Sequence, residues 1–148
     1  MTLQVELVVP EGEVWSGPAE RVIAKTLDGD IGVLTNHTPV LGILAEGSVV
    51  RILPKESPDG EGGDGGDGDG GEVTAAVGGG FFSVADNRVS ILAHQAQLGR
   101  EVDTAAARAA LDGALQDAQA SPEGDEEPAD VRYFRALLRA AGEPDDRA

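Results

Sequence analysis

Four groups of side chains in this sequence carry types and spacings that could do chemistry. The first is the run PDGEGGDGGDGDGGE, Pro58 to Glu72. Carboxylates alternating with glycine are the grammar of a calcium loop, and Asp67-Gly68-Asp69-Gly70 supplies two turns of it. A loop of that kind started at Asp64 or Asp67 lacks a third carboxylate at the required spacing and the distal bidentate glutamate. The density of glycine also makes ordering the run costly, because glycine loses the most backbone freedom. The readings are a calcium-binding acidic module or a flexible, solvated linker, and the spacing favours the linker.

The second group is His37 and His94, the two histidines of the chain. Neither has a serine or aspartate nearby in a pattern specific for nucleophilic catalysis, so a small β-domain enzyme using His37 is a minor alternative. The third is Gly78-Gly79-Gly80. Phosphate-cradling glycines precede a helix whose amides face the anion, whereas here FFSV follows, which reads as a strand; the triplet is a kink or bulge where strands pass closely. The fourth is Arg132, Arg135 and Arg139, at helical spacing, with Arg135 and Arg139 on one face. They form either a solvated basic edge or a contact for phosphates or an acidic partner.

The elements that must position these groups follow from the hydrophobic pattern. Leu3, Val5, Leu7 and Val9 alternate with Gln4 and Glu6, the period of a strand with one buried face. Residues 14–26, 40–44 and 48–53, then VTAAV, FFSVA and RVSILA, continue as short Val/Ile/Leu-rich runs punctuated by turn signals. Asp86-Asn87 joins the last two as a tight hairpin tolerant of left-handed backbone. About eight or nine short strands predict an all-β sandwich or barrel over residues 1–95. The arms flanking the glycine tract, Arg51-Ile52-Leu53 and Val73 to Val77, predict one hairpin with an inflated turn at 55–72, since lengthening a loop costs only a logarithmic entropy term.

Residues 96–148 change character. VDTAAARAALDGALQDAQA predicts an amphipathic helix with Asp103 as N-cap, Leu111, Leu115, Ala107 and Ala118 on one side, and an end at Ser121-Pro122. A second helix opens at Pro128 or Asp130, carries Val131, Phe134, Leu138 and Ala141 as its stripe, and closes at Gly142. The pair is an αα-hairpin, marginal by itself and dependent on packing against the β domain or a partner.

Composition limits the partners. The net charge is −16, but loops around 56–72 and 123–130 hold 12 of the 27 acidic residues; without them and Lys55 the remainder has 15 acids against 10 bases, a net −5. Such a chain does not suit nucleic acid or an anionic lipid surface. The absence of cysteine excludes disulfides, thiolate zinc sites and cysteine nucleophiles. The start, MTLQVELVVPEGE, has no basic flank or sustained apolar run, so membrane association is expected only through a protein partner.

At GDIGVLTNHTPVLGILAEGSV and VGGGFFSVADNRVSILA, followed by an alanine-rich hairpin, the chain resembles the epsilon subunit of the rotary F-type ATP synthase. The family's glycine-rich run ending L-x-x-H-x-P-x-L is met by Gly29, Asp30, Gly32, Leu34, His37, Pro39 and Leu41. Its GGF-x-x-V-x-x-N-x-V-x-x-L run is met by Gly79, Gly80, Phe81, Val84, Asn87, Val89 and Leu92. The opening VELVVPEGEVWSG fits as well, so the likeness covers nearly the whole chain.

The resemblance implies a flattened β-sandwich of about ten strands, followed by a C-terminal antiparallel helical hairpin. It implies a non-catalytic subunit at the foot of the central stalk, against the gamma subunit and the c-subunit ring, peripheral on the cytoplasmic face of the cell membrane. Its role would be coupling proton-driven rotation of the ring to ATP synthesis in the head. The loop bearing His37 would face the ring through Asp30, Thr35, Asn36 and His37, and part of the sandwich, including the strand after Gly80, would pack on gamma. Thr35-Asn36 stands where many members have Pro-Gly. The hairpin would permit ATP hydrolysis when docked. Extended into the alpha/beta head it would inhibit, with Arg132, Arg135 and Arg139 facing acidic groups there. No cofactor is required; a regulatory ATP, held in some members by a motif at the first helix and arginines on the second, would contact Val102, Asp103, Arg135 and Arg139. Ala106 occupies that motif's arginine position, and Arg108 points about 200° away around the helix, so ATP binding is expected to be weak or absent. The glycine tract is expected to point away from both gamma and the ring.

Overall fold

The computed structural model describes residues 2–55, 72–120 and 128–142. The alternation at the start of the chain produces β1, Leu3–Val9, in which Leu3, Val5 and Leu7 are fully buried while Gln4 is exposed. It is followed by β2 Gly12–Thr26, β3 Gly29–Val33, β4 Val40–Pro54, β5 Val73–Ala85, β6 Arg88–Ala93 and β7 Ala96–Leu98. The hydrogen-bonded order is β1-β6-β5-β4-β2-β3, with β7 on β5, and β1 also pairs with β2. That last pairing, Leu3 opposite Ala19 through Val9 opposite Gly12, closes the sheet on itself and leaves fewer open edges. β1 and β6 run parallel, Val5 opposite Val89, and every other pairing is antiparallel. The enclosed core takes Leu3, Val22, Ile52, Phe82, Val89 and Ile91 from five strands. This is the β-sandwich that the sequence leads one to expect, followed by two helices.

The strands are fewer and longer than the turn signals suggest, seven among the described residues. VLGIL and SVVRIL are two parts of one strand, β4, because Glu46-Gly47 is a bulge and not a turn: the β4–β5 register shifts between Glu46 and Ser48, and Gly47 has φ +67°. VTAAV and FFSVA likewise join as β5 through Gly78 to Gly80. The first part of β5 pairs with β7 and the second with β6. A Cβ on Gly80 would lie 2.0 Å from the Leu92 carbonyl oxygen, so the triplet is the close approach its sequence indicates. Ile52 opposite Val73 and Arg51 opposite Thr74 make the two arms of the expected hairpin. The inflated turn and the calcium reading both fall on residues 56–71, outside the described residues.

After β7 a single 3-10 turn, Gly99–Glu101, leads into α1, Thr104–Ala120. Asp103 caps it as its type and place indicate, its Oδ1 accepting from the Ala106 N–H at 3.1 Å. Ala107, Leu111 and Ala114 form the buried side of α1. The second helix, α2, spans Ala129–Ala140 after Pro128, and Gly142 closes it with φ +82°, donating to the Arg139 carbonyl at 3.0 Å. Around α2, Val131, Tyr133, Arg135, Ala136, Leu137, Leu138 and Ala140 are all buried, more than one stripe can hold. The reason is position: α2 packs against β4 and β5 on one side and against α1 on the other. Together with Ala76 of β5, the helices form a second apolar cluster, separate from the core inside the sheet. Full burial of Leu111, Val131 and Leu138 contributes about 1.5–3 kcal/mol each. No helix among the described residues is long and apolar enough to cross a membrane.

Candidate functional site

Among the described residues no three His, Asp or Glu side chains gather as a metal site. His37 and His94 serve separate places: the His37 ring Nδ1 lies 2.6 Å from the Thr38 carbonyl oxygen, and His94 lines a cleft elsewhere. Among the described residues three surfaces could recognise another molecule.

One is an end of the sandwich. The β3 strand carries Asp30, exposed and opposite Lys25, to the loop Leu34–Pro39. The His37 N–H donates to the Leu34 carbonyl at 3.2 Å, closing a turn in which Asn36 has φ +64°. Asparagine tolerates that left-handed backbone, the conformation glycine would adopt in a Pro-Gly pair. The neighbouring hairpin turn, Asp86 and Asn87 with φ +51° and +61°, is left-handed as its sequence indicates, and its Asn87 Oδ1 accepts the Asn36 N–H at 2.5 Å. The two loops are therefore one surface, with Thr35 and His37 half-buried, Asn36 exposed and Leu34 58% exposed beside them. The asparagine link was invisible in the sequence because its partners are 51 residues apart.

The second is a row on the outer face of the sheet. Ile43 of β4 stands opposite Phe81 of β5, which stands opposite Leu92 of β6, and the Leu27 N–H donates to the Ile43 carbonyl at 3.1 Å. Leu27, Ile43, Phe81 and Leu92 are 69%, 60%, 46% and 41% exposed, and Leu41, two residues before Ile43, is 72% exposed. Scattered exposed leucines need no explanation, but a row in register across three strands is an apolar patch of the kind that marks interaction surfaces. Beside the row, against α2, opens a cleft of about 440 Å³ whose walls include Leu27, Ile43, Phe81, Glu46, His94 and Arg132.

The third is the contact between α2 and the sheet. Thr74 Oγ1 donates to the Ala140 carbonyl at 2.6 Å, and the Arg139 Nη2 donates to the Gly47 carbonyl at 2.9 Å. Gly47 and Gly99 admit the helix: a Cβ on Gly47 would lie 2.3 Å from the Arg132 carbonyl carbon, and one on Gly99 would lie 1.9 Å from the Ala140 oxygen. The arginines of α2 do not form a uniform solvated edge. Arg135 is 9% exposed, Arg132 is half-buried and Arg139 is exposed. Val102 is half-buried, packed on the hairpin cluster, and Asp103 is exposed, its carboxylate occupied as the α1 cap. Gly99, three residues before Val102, lies against Ala140, the residue after Arg139. Burial among apolar neighbours pushes the Tyr133 phenol above its ordinary value of 10.0.

The family described as "ATP synthase, Delta/Epsilon chain, beta-sandwich domain" matches residues 2–61. The ATP synthase epsilon chain of Thermobifida fusca is 49% identical over 142 residues, 94% of this chain and 91% of that one. The ATP synthase epsilon chain of Streptomyces coelicolor is 44% identical over 140 residues, 93% of this chain and 97% of that one. Among solved structures, a chain of the Euglena gracilis mitochondrial ATP synthase (OSCP/F1/c-ring) superposes with a TM-score of 0.61 at 19% identity, over 95% of this chain and 79% of that chain. A chain of the Tetrahymena thermophila mitochondrial ATP synthase central stalk and c-ring gives 0.53 at 16%, over 95% and 91%. At those identities the structural likeness supports the fold.

Proposed function

The chain belongs to the family of ATP synthase epsilon chains, and from that premise we propose that it is a non-catalytic subunit of the central stalk that couples rotation of the c-subunit ring to ATP synthesis. The ring, driven by protons, turns gamma and this chain together. In this reading the joined loops bearing Asp30, Thr35, Asn36 and His37 face the ring, and the row Leu27, Ile43, Phe81 and Leu92 packs on gamma. The complex sits on the cytoplasmic face of the membrane, and the chain meets the membrane only through it. The observation that carries the reading is the exposed row in register, which supplies a flat apolar surface of the kind a permanent partner covers.

The hairpin adds regulation. Docked on the sheet, as it lies here, it leaves hydrolysis free; extended into the alpha/beta head, it blocks rotation with Arg132, Arg135 and Arg139 against acidic groups. Arg135, 9% exposed when docked, supports this contrast, since it becomes available when α2 leaves the sheet, and Arg139 would exchange its bond to Gly47 for the new contact. The role requires no cofactor. A regulatory ATP at Val102, Asp103, Arg135 and Arg139 would have to take Arg139 from Gly47 and do without an arginine at Ala106, which makes it a weak ligand.

The test is ATP-driven proton pumping in membranes stripped of this chain and then resupplied with it. Restored pumping with the natural chain and none with Phe81→Asp is the expected result. Equal restoration by Phe81→Asp would remove the row from the interface.

A further inference from the structure

Two of the three α2 arginines are engaged within the chain: Arg139 donates to Gly47, and Arg135 is also held. Arg132 is not. Its Nε is buried and has no hydrogen-bond partner among the described residues, although its side chain forms a wall of the 440 Å³ cleft. A buried donor left unmade is unfavourable, and a guanidinium gains most from a planar two-oxygen acceptor. Glu46 also lines the cleft but makes no ion pair with Arg132 among the described residues. The same cleft is lined by Leu27, Ile43 and Phe81 of the exposed row. An arginine wanting an acceptor thus adjoins the apolar surface on which a partner rests.

We propose that the partner covering this row inserts an aspartate or glutamate side chain into the cleft and pairs with Arg132, so that the partner itself holds α2 docked. The inference rests on the reading of the row as the gamma-facing surface. Apolar residues of gamma cover Leu27, Ile43 and Phe81, and one carboxylate at their margin reaches the guanidinium in the space beside α2. Because the contact includes a residue of α2, it exists only while the helix lies on the sheet. By linkage, gamma binding favours the docked hairpin by as much as the contact favours gamma binding. Release of α2 would then free Arg132 for the acidic surface of the head, one arginine serving a different carboxylate in each state.

The experiment measures binding of purified gamma subunit to the full chain and to Arg132→Gln, Arg132→Lys, Glu46→Gln and Phe81→Asp, with hydrogen exchange of the α2 amides free and bound. Both Arg132 variants should weaken binding about tenfold or more, lysine included because it lacks the planar fork. Glu46→Gln should bind at least as tightly as the natural chain. Gamma should slow exchange in α2 of the natural chain and fail to do so in Arg132→Gln. Each acidic residue of gamma changed to its amide, alone and with Arg132→Gln, completes a set of double-mutant cycles. One such change should cost as much as Arg132→Gln and add nothing to it, a result that holds even where a variant loosens the docked helix. Full additivity for every acid of gamma, or natural affinity in both Arg132 variants while Phe81→Asp binds poorly, overturns the carboxylate pair and leaves the row as the gamma surface. Natural affinity in Phe81→Asp overturns the reading of the row, and the proposal with it.

Discussion

Around the closed sheet each strand is tied to its neighbours by ladders of backbone hydrogen bonds over a core of Leu, Ile, Val and Phe82, whereas α2 reaches the sheet through alanines, glycines and side-chain bonds such as Thr74 to Ala140. The difference is one of reversibility. Removing a strand from the ring would orphan its backbone donors and acceptors; removing α2 leaves its own backbone bonds intact, because a helix satisfies them internally. The contacts that α2 loses are apolar packing in the second cluster, where Ala76, Ala136 and Ala140 lie among Val131, Leu137 and Leu138. A region able to leave a fold does so by its weaker contacts, and for α2 those are side-chain packing and bonds with no backbone ladder to the sheet.

The sharpest way to break this comparison is Gly47→Ala. A Cβ there meets the Arg132 backbone at 2.3 Å from a residue with φ +67°, so neither side chain nor backbone can yield cheaply. The steric overlap should cost the docked state about 1–3 kcal/mol, while the left-handed strain lies in β4 itself and burdens docked and released states alike. Hydrogen exchange should quicken throughout α2 while β1 and β6 keep their protection; equal loss in β1 and β6 would mean that hairpin and sheet are one unit.

A second test is the pair Leu138→Ala and Ile91→Ala, both fully buried, one in each cluster. Each should cost about 2–5 kcal/mol locally. Guanidinium unfolding followed by strand amides should detect the whole cost of Ile91→Ala, and much less of Leu138→Ala. Thr74→Val, smaller again, removes the Oγ1 bond to Ala140 at nearly constant volume and should loosen docking by about 1 kcal/mol, read by exchange at the end of α2.

The smallest effect is that of pH. Burial raises the Tyr133 phenol above 10.0, so the unfolded or released chain loses that proton first. The stabilisation is complete below pH 10 and is lost as pH climbs from there through the higher folded value. Tyr133 is the single tyrosine of the chain, which makes phenolate absorbance a direct reading of it. Its titration midpoint should fall towards the ordinary tyrosine value in Gly47→Ala, and an unchanged midpoint would show Tyr133 still covered.

Much of this was legible in the sequence where the determinant is local. The period of β1, the Asp103 cap, the left-handed Asp86-Asn87 turn and the Gly142 stop each depend on residues within a few positions, and each is found in place. The arms around the glycine tract could be paired because their patterns match across it. What was not legible is non-local. Glu46-Gly47 reads as a turn by type, yet it is a bulge made for a helix that arrives much later in the chain. Leu41 and Ile43 face outward while Leu44 is buried, an alternation in which hydrophobic type alone does not say which face is covered. Arg135 shares a face with Arg139 by spacing but is covered, because α2 is enclosed on two sides where an amphipathic stripe allows for one. The pairing of Asn36 with Asn87 needed the fold before it could be seen.

The central claim is that the hairpin is a removable element whose docked state frees hydrolysis. It is tested most directly by the ATP hydrolysis rate of the rotary complex assembled with the natural chain, with Gly47→Ala, and with a chain ending at Arg100. Hydrolysis should be slower than natural with Gly47→Ala, whose intact hairpin is released from the sheet, and faster than natural with the shortened chain, which has no hairpin to extend. Equal rates in all three, with each chain present in the complex and α2 shown by exchange to have left the sheet in Gly47→Ala, would contradict the account.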